Sequence, residues 1–136
     1  MRPDASLRMT SALRTVKLIG LYLMAALYIF AGVMHFVDPE FFLKIVPPYL
    51  PFHLALVYLS GVAEIILGIA LLIPRTRQLA AWGVIVLLIA VFPANVYHYT
   101  SGGAGMAIPE SMLILRLFIQ GLLVAWAWVY TRPLRR

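Results

Sequence analysis

Residues 79–99 read "LAAWGVIVLLIAVFPANVYHY", and this stretch decides the fold class. Its first part, residues 79–92, contains no charged side chain, and the whole stretch has the length of about 20 residues that a helix needs to cross a bilayer. Pro93, Asn95 and His98 follow where the apolar run is ending. The stretch therefore predicts a membrane-spanning helix whose polar end either closes the helix or lines a site.

The composition of the whole chain supports the same class. It is 63% hydrophobic and 12% charged, whereas soluble domains have about 45–50% apolar and about 25% charged residues. Cysteine is absent, which excludes disulfides, thiol relays, iron–sulfur clusters and thiolate metal sites within this chain. The net charge of +6 comes from residues that flank apolar runs. We therefore expect contact with the lipid bilayer and its anionic headgroups, and none with nucleic acid.

The apolar runs predict an all-α fold, a four-helix transmembrane bundle with short loops that forms one domain over residues 1–136. A signal peptide is the alternative for the first run, but that run is longer than an h-region of about 7–15 residues, so we expect it to be retained. Between spans one and two, "PEFFLKIVPPYLP" predicts a short interfacial helix over Phe41–Val46, which the following prolines end. The four predicted spans cover about residues 16–37, 53–73, 79–99 and 109–130.

The basic residues predict the orientation of the bundle. They form one group before span one, one between spans two and three, and one after span four; these are Arg2, Arg8, Arg14 and Lys17, then Arg75 and Arg77, then Arg132, Arg135 and Arg136. Lys44 is the only basic residue in the other two connections. With four spans, all three groups fall on one side, and the positive-inside rule places both termini in the cytoplasm. In a bacterium the membrane would be the inner membrane.

Polar side chains within the spans are the candidates for a ligand-binding pocket, because each ionisable group costs about 2.5–3.5 kcal/mol at a helix centre. At 1.5 Å per residue, Glu64, Arg116 and Gln120 lie about 17, 10 and 16 Å below the outer surface. His35, Asn95 and His98 close spans one and three on the same side. These six residues predict a polar pocket in the outer leaflet. No catalytic residue and no metal site is assigned.

Each of these residues also has a structural interpretation. A Glu64–Arg116 pair could serve only to fix which helices pack together. Pro93 frees backbone groups that need partners, and Asn95 would supply them. His35 and His98 suit an aromatic belt at the membrane surface, and haem ligation by these two histidines is disfavoured.

Three stretches together resemble the DoxX family of small four-helix membrane proteins: "FAGVMHFVDPEFF" at residues 30–42, "SGVAE" with "FPAN" at residues 60–64 and 92–95, and "LRLFIQGLLVAWAWVY" at residues 115–130. The resemblance covers Leu21 to Tyr130. It implies a bundle in the cytoplasmic membrane, with association to quinone-linked sulfur oxidation, as a small subunit of a thiosulfate:quinone oxidoreductase, or to membrane redox-defence assemblies. Glu64, Asn95, Arg116 and Gln120 are the matching positions. Relatives in the wider group that use cysteine pairs for thiol chemistry cannot serve as models for this chain, because it contains no cysteine.

Three functions stay open at this point, and so does the question of whether the chain is an enzyme. It could be an oxidoreductase subunit that binds a quinone, with electrons supplied by a redox partner protein, and a quinone is then the one cofactor expected. It could be a non-enzymatic scaffold or assembly factor whose polar cluster is structural. It could also be a small transporter or lipophile-binding protein, which would act as a homo-oligomer because one four-helix chain is small for alternating access.

Overall fold

The computed structural model describes residues 4–134 and consists of five α-helices joined by short loops. Residues 4–134 contain no β-strand. Four helices, all except α2, are long and apolar enough to cross a membrane, as in a multi-pass membrane protein. The all-α class of the prediction is thereby confirmed. The helices are α1 (Ala5–Val37), α2 (Pro39–Ile45), α3 (His53–Leu72), α4 (Arg77–Thr100) and α5 (Glu110–Val129).

The helix ends follow the predicted spans except at the start of α1. This helix begins at Ala5 rather than near Val16, and its 33 residues give a length of about 50 Å at 1.5 Å per residue. The hydrocarbon core is only about 30 Å thick, so the first turns of α1 extend beyond it. Of the basic residues that predicted the orientation, Arg2, Arg135 and Arg136 lie outside the described residues.

Helix α2 occupies the segment in which a short helix was predicted. Pro39 stands in its first turn, where a missing N–H is tolerated, and the Asp38 side chain accepts a hydrogen bond from Phe41 N at 3.4 Å. The helix ends at Ile45, just before Pro47, and both residues are buried. The helix therefore packs against the bundle, where it contacts α1, α3 and α4.

Helices α1 and α3 pack through a seam of glycines. A Cβ atom placed on Gly32 would lie 2.6 Å from the carbonyl oxygen of Gly61, and one on Gly61 would lie 2.7 Å from His35 Cβ. Small residues let helix backbones approach this closely in membranes, where dispersion contacts and polar bonds hold helices together. The seam sets His35 directly beside α3.

The start of α1 and the end of α5 meet at one end of the bundle. The hydroxyl of the buried Tyr130 donates a hydrogen bond to Lys17 O at 2.8 Å and accepts one from Trp126 Nε1 at 3.3 Å. At the same end, the ring of Trp82 at the start of α4 meets Trp128 edge to face, with centroids 5.3 Å apart. Successive long helices therefore run antiparallel, and the α4–α5 loop lies at the opposite end of the bundle.

Candidate functional site

A cavity of about 440 Å³ lies among the helices in the half of the bundle away from the chain ends. Most of its wall is apolar and comes from aliphatic residues such as Leu27, Val57, Leu88 and Val91. All five helices contribute to it. Its polar lining consists of Tyr28, His35, Ser60, Glu64, Asn95 and Arg116.

Arg116 on α5 is held by two side chains of α4. Its Nη1 donates to His98 Nδ1 at 2.6 Å, and its Nη2 donates to Asn95 Oδ1 at 3.1 Å. Asn95 Nδ2 donates in turn to Gln120 Oε1, and Gln120 Nε2 donates to the carbonyl of Leu88 at 2.6 Å. The bonds form one chain that runs from the guanidinium to a backbone oxygen and joins α4 to α5.

The direction of this hydrogen-bond chain is fixed by its two ends. A guanidinium can only donate, and a backbone carbonyl can only accept. Asn95 and Gln120 therefore each accept with the amide oxygen and donate with the amide nitrogen, and neither amide can be turned over without breaking two bonds. The same logic makes Nδ1 of His98 an acceptor, so that the proton of this imidazole is on Nε2.

The α4–α5 loop ends the helix next to His98. Gly103 N donates to His98 O at 2.9 Å and Ser101 Oγ donates to the same oxygen at 3.3 Å. Gly103 has a φ of +100°, and a Cβ at this position would lie 2.9 Å from Met106 O, so only glycine fits here. The loop thus holds the backbone of His98, which is a buried residue with an exposed fraction of 1%.

Glu64 on α3 faces His35 on α1, across the glycine seam. His35 Nδ1 lies 2.7 Å from Ala31 O and 3.1 Å from Glu64 Oε2. Nδ1 carries at most one proton, and its bond to Ala31 O leaves Glu64 Oε2 buried without a hydrogen bond. The His35 ring is also stacked on Phe42 of α2, with centroids 3.7 Å apart. His35 is therefore held firmly, while the carboxylate oxygen beside it has no hydrogen-bond donor.

The hypothesised Glu64–Arg116 pair is not formed. Both residues line the cavity, but the only ion-pair contact within 4.0 Å among residues 4–134 joins His35 to Glu64. Asn95 likewise does not bond the backbone near Pro93, because both of its amide atoms are used by Arg116 and Gln120. Gln120 does bond the backbone of α4, but at Leu88 O, one residue before Ile89, whose carbonyl loses its helical donor at Pro93.

The six predicted site residues divide into two groups by position. His35, Glu64, Asn95 and Arg116 line the cavity, whereas His98 and Gln120 lie behind it and hold Arg116 and Asn95 in place.

Sequence reasoning missed three residues that line the cavity. Tyr28, 5% exposed, lies on α1 seven residues before His35, and its buried hydroxyl has no hydrogen-bond partner. Ser60 lies one turn before Glu64, and Phe42 comes from α2. Helical spacing of seven from His35 and four from Glu64 was the signal that could have identified Tyr28 and Ser60.

The cavity therefore offers two kinds of polar contact in an apolar space. Glu64 Oε2 can accept a hydrogen bond, and Tyr28 OH can donate one. Arg116 has five N–H groups, of which the bonds to His98 and Asn95 use two. Buried polar groups are normally paired, so unpaired ones in a cavity mark positions where a ligand can bind.

A family model described as a domain of unknown function, DUF8561, matches residues 24–131. No curated protein and no solved structure matches the chain. The matched range contains α2 to α5, the last 14 residues of α1 and every residue that lines the cavity.

Proposed function

We propose that this chain, which belongs to the DUF8561 family, binds a quinone-like lipophile in the cavity between its helices. Three buried side-chain polar atoms of the described residues have no hydrogen-bond partner: Tyr28 OH, Glu64 Oε2 and His98 Nε2. The observation that carries this proposal is that two of them, Tyr28 OH and Glu64 Oε2, belong to residues of a cavity that Arg116 also lines. Unpaired polar atoms cost about 1–3 kcal/mol each, and a ligand that pairs with them removes this cost.

The chemistry of the lining favours a small ring with polar oxygens. Apolar side chains surround the cavity and suit a ring or an alkyl tail. Arg116 and Tyr28 supply donors for carbonyl oxygens, and Glu64 accepts from a hydroxyl such as that of a quinol. The volume of about 440 Å³ lies in the range of about 300–1,000 Å³ in which small-molecule sites fall.

In a redox role, this chain would bind the quinone and a partner protein would supply the electrons. Reduction of a quinone to a quinol needs two electrons and two protons. In this proposal, the electrons come from a membrane oxidoreductase with which the chain associates. Glu64 would pass protons to and from the bound ring, a task that suits a buried carboxylate. This role agrees with the resemblance to the DoxX family.

We also propose that the basic end of the bundle faces the cytoplasm. Arg8, Arg14, Arg75, Arg77 and Arg132 lie at the end of the bundle where the chain starts and finishes. By the positive-inside rule this end faces the cytoplasm, in a bacterium on the inner side of the inner membrane. The cavity then lies in the outer leaflet.

Binding of a short-chain ubiquinone to the detergent-purified protein, followed by isothermal titration calorimetry, tests the proposal. Tyr28→Phe and Glu64→Gln should each weaken binding by about 2- to 13-fold, because a net hydrogen bond is worth about 0.5–1.5 kcal/mol. Tyr22→Phe is the matched control, since Tyr22 lies on the same helix but is 58% exposed on the outer surface. A wild-type protein that does not bind the quinone, or equal losses in the Tyr28 and Tyr22 variants, would contradict the proposal.

One observation favours a second candidate, a scaffold or assembly factor without catalysis. The chain of bonds from Arg116 through Asn95 and Gln120 to Leu88 is complete without a ligand. This is expected if these bonds serve only to hold α4 against α5. A scaffold would retain a partner polypeptide on purification, and this association would be unchanged in Tyr28→Phe.

A further inference from the structure

A second and larger cavity lies at the opposite end of the bundle from the polar site. It is a groove of about 1,120 Å³ between the first turns of α1 and the residues that follow α5. One wall is formed by α1 residues 7–17 and the other by residues 128–134. Tyr130, whose hydroxyl bonds Lys17 O, holds these two walls together.

The groove is lined by three cations and no acid. Arg14 and Lys17 come from α1, and Arg132 comes from the segment after α5. None of the three forms an ion pair with a carboxylate in the described range of the chain. Arg132 lies over the ring of Trp128 at 5.8 Å, which fixes its guanidinium at the groove. Unopposed positive charge on two walls predicts a negatively charged occupant.

Apolar side chains extend the groove beyond its charges. Leu7 and Leu13 of α1 are 62% and 54% exposed, and Val129 and Leu134 line the other wall. An inorganic anion would leave these side chains uncovered. An occupant that carries both a negative group and a hydrocarbon chain covers the whole groove.

The depth of the groove fits the headgroup region of a bilayer. Helix α1 has 33 residues and α5 has 20, so α1 is about 20 Å longer at 1.5 Å per residue. The extra length lies at the end of the bundle that holds the groove. Trp128 is typical of the boundary between hydrocarbon and headgroups, and Lys and Arg at such a boundary attract anionic lipids.

We infer that this groove is a binding site for an anionic phospholipid, whose phosphate contacts Arg14, Lys17 and Arg132 and whose acyl chain lies against Leu13 and Val129. The site is separate from the quinone proposal, since it lies at the other end of the bundle and shares no residue with the polar cavity.

Native mass spectrometry of the full-length protein tests this inference, with phosphatidylglycerol and phosphatidylcholine of identical acyl chains as the two probes. We expect one phosphatidylglycerol to be retained in preference to phosphatidylcholine. The double variant Arg14→Gln/Arg132→Gln should bind phosphatidylglycerol roughly 30-fold more weakly, because each basic residue near an anionic surface contributes about fivefold.

The double variant Arg8→Gln/Arg75→Gln is the matched control. It removes the same charge from the same end of the bundle, but neither residue lines the groove, so its affinity should be unchanged. If Arg14→Gln/Arg132→Gln does not fold, Lys17→Gln alone should show a loss of about fivefold. Tyr28→Phe should leave phosphatidylglycerol binding intact, which separates this test from that of the quinone site.

Three results would overturn the inference. Equal losses in both double variants would indicate general attraction to charged lipid rather than a site. Equal retention of both phospholipids would show that charge does not select the occupant. Displacement by glycerol 3-phosphate, which has the phosphate but no acyl chain, would indicate a site for soluble anions.

Discussion

Replacing Gly32 by alanine is a direct test of how tightly α1 and α3 pack. The added methyl group would lie 2.6 Å from Gly61 O, 2.7 Å from Ile65 Cγ1 and 3.0 Å from Ile65 N. Ordinary contact begins at 3.4 Å. The nearest atom is therefore about 0.8 Å too close, and because it belongs to the backbone of α3, the helices themselves must separate.

The magnitude follows from two opposing terms. Overpacking of a tight interior costs about 1–3 kcal/mol. Alanine gains up to about 1 kcal/mol over glycine within a helix. We therefore expect Gly32→Ala to lower the free energy of unfolding by up to about 2 kcal/mol.

Gly121→Ala supplies the matched control, because a Cβ at Gly121 meets no atom within 4 Å. This substitution has the higher helix propensity of alanine but causes no clash, so it should leave the free energy of unfolding unchanged or raise it by up to about 1 kcal/mol. The assay is unfolding in mixed micelles at increasing fractions of dodecyl sulfate, followed by far-UV circular dichroism. Equal midpoints for the two variants would refute the tight seam.

Two further variants test the polar bonds between helices. Gln120→Leu leaves Asn95 Nδ2 without its acceptor, at about 1–3 kcal/mol, and removes the bond to Leu88 O, worth about 0.5–1.5 kcal/mol, so the unfolding free energy should fall by about 2–4 kcal/mol in the same assay. Tyr130→Phe removes the bond to Lys17 O and the bond from Trp126 Nε1, so it should cost about 1–3 kcal/mol with unchanged helix content.

Matched substitutions at exposed positions control for the change of residue type. Gln78→Leu and Tyr49→Phe alter side chains that make no hydrogen bond in the structure, Tyr49 being 75% exposed. Neither should change the unfolding midpoint. If Gln120→Leu proves as stable as Gln78→Leu, the bond chain between α4 and α5 is not a stabilising contact.

The helices could be predicted from the sequence because a bilayer requires long apolar runs. The same criterion missed the first turns of α1, since residues 5–15, "ASLRMTSALRT", mix polar and apolar side chains and are not apolar enough to count as a span. These residues continue a helix that the span already nucleates, and elongation of an existing helix is far easier than starting one. These extra turns of α1 form one wall of the groove that faces residues 128–134, so the groove was not predicted either.

The sequence was sufficient to predict most of the polar residues that form the site, but not which of them are hydrogen-bonded to one another. Charged and amide residues stand out against apolar runs, so Glu64 and Arg116 were identified at once. Their partners depend on the rotation of each helix about its axis, which depth along the membrane does not fix. Tyr28 was overlooked because a tyrosine in a span resembles the exposed Tyr22, and only packing distinguishes a buried hydroxyl from an outward one.

The directed chain of hydrogen bonds between α4 and α5 has a consequence for biosynthesis. A ribosome completes α1 before α3 and α4 before α5. Asn95 and His98 are therefore already in the membrane when Arg116 arrives. Arg116, a costly side chain in lipid, enters next to a helix that already carries its two hydrogen-bond acceptors, so the translocon does not have to release an Arg116 for which no polar contact yet exists.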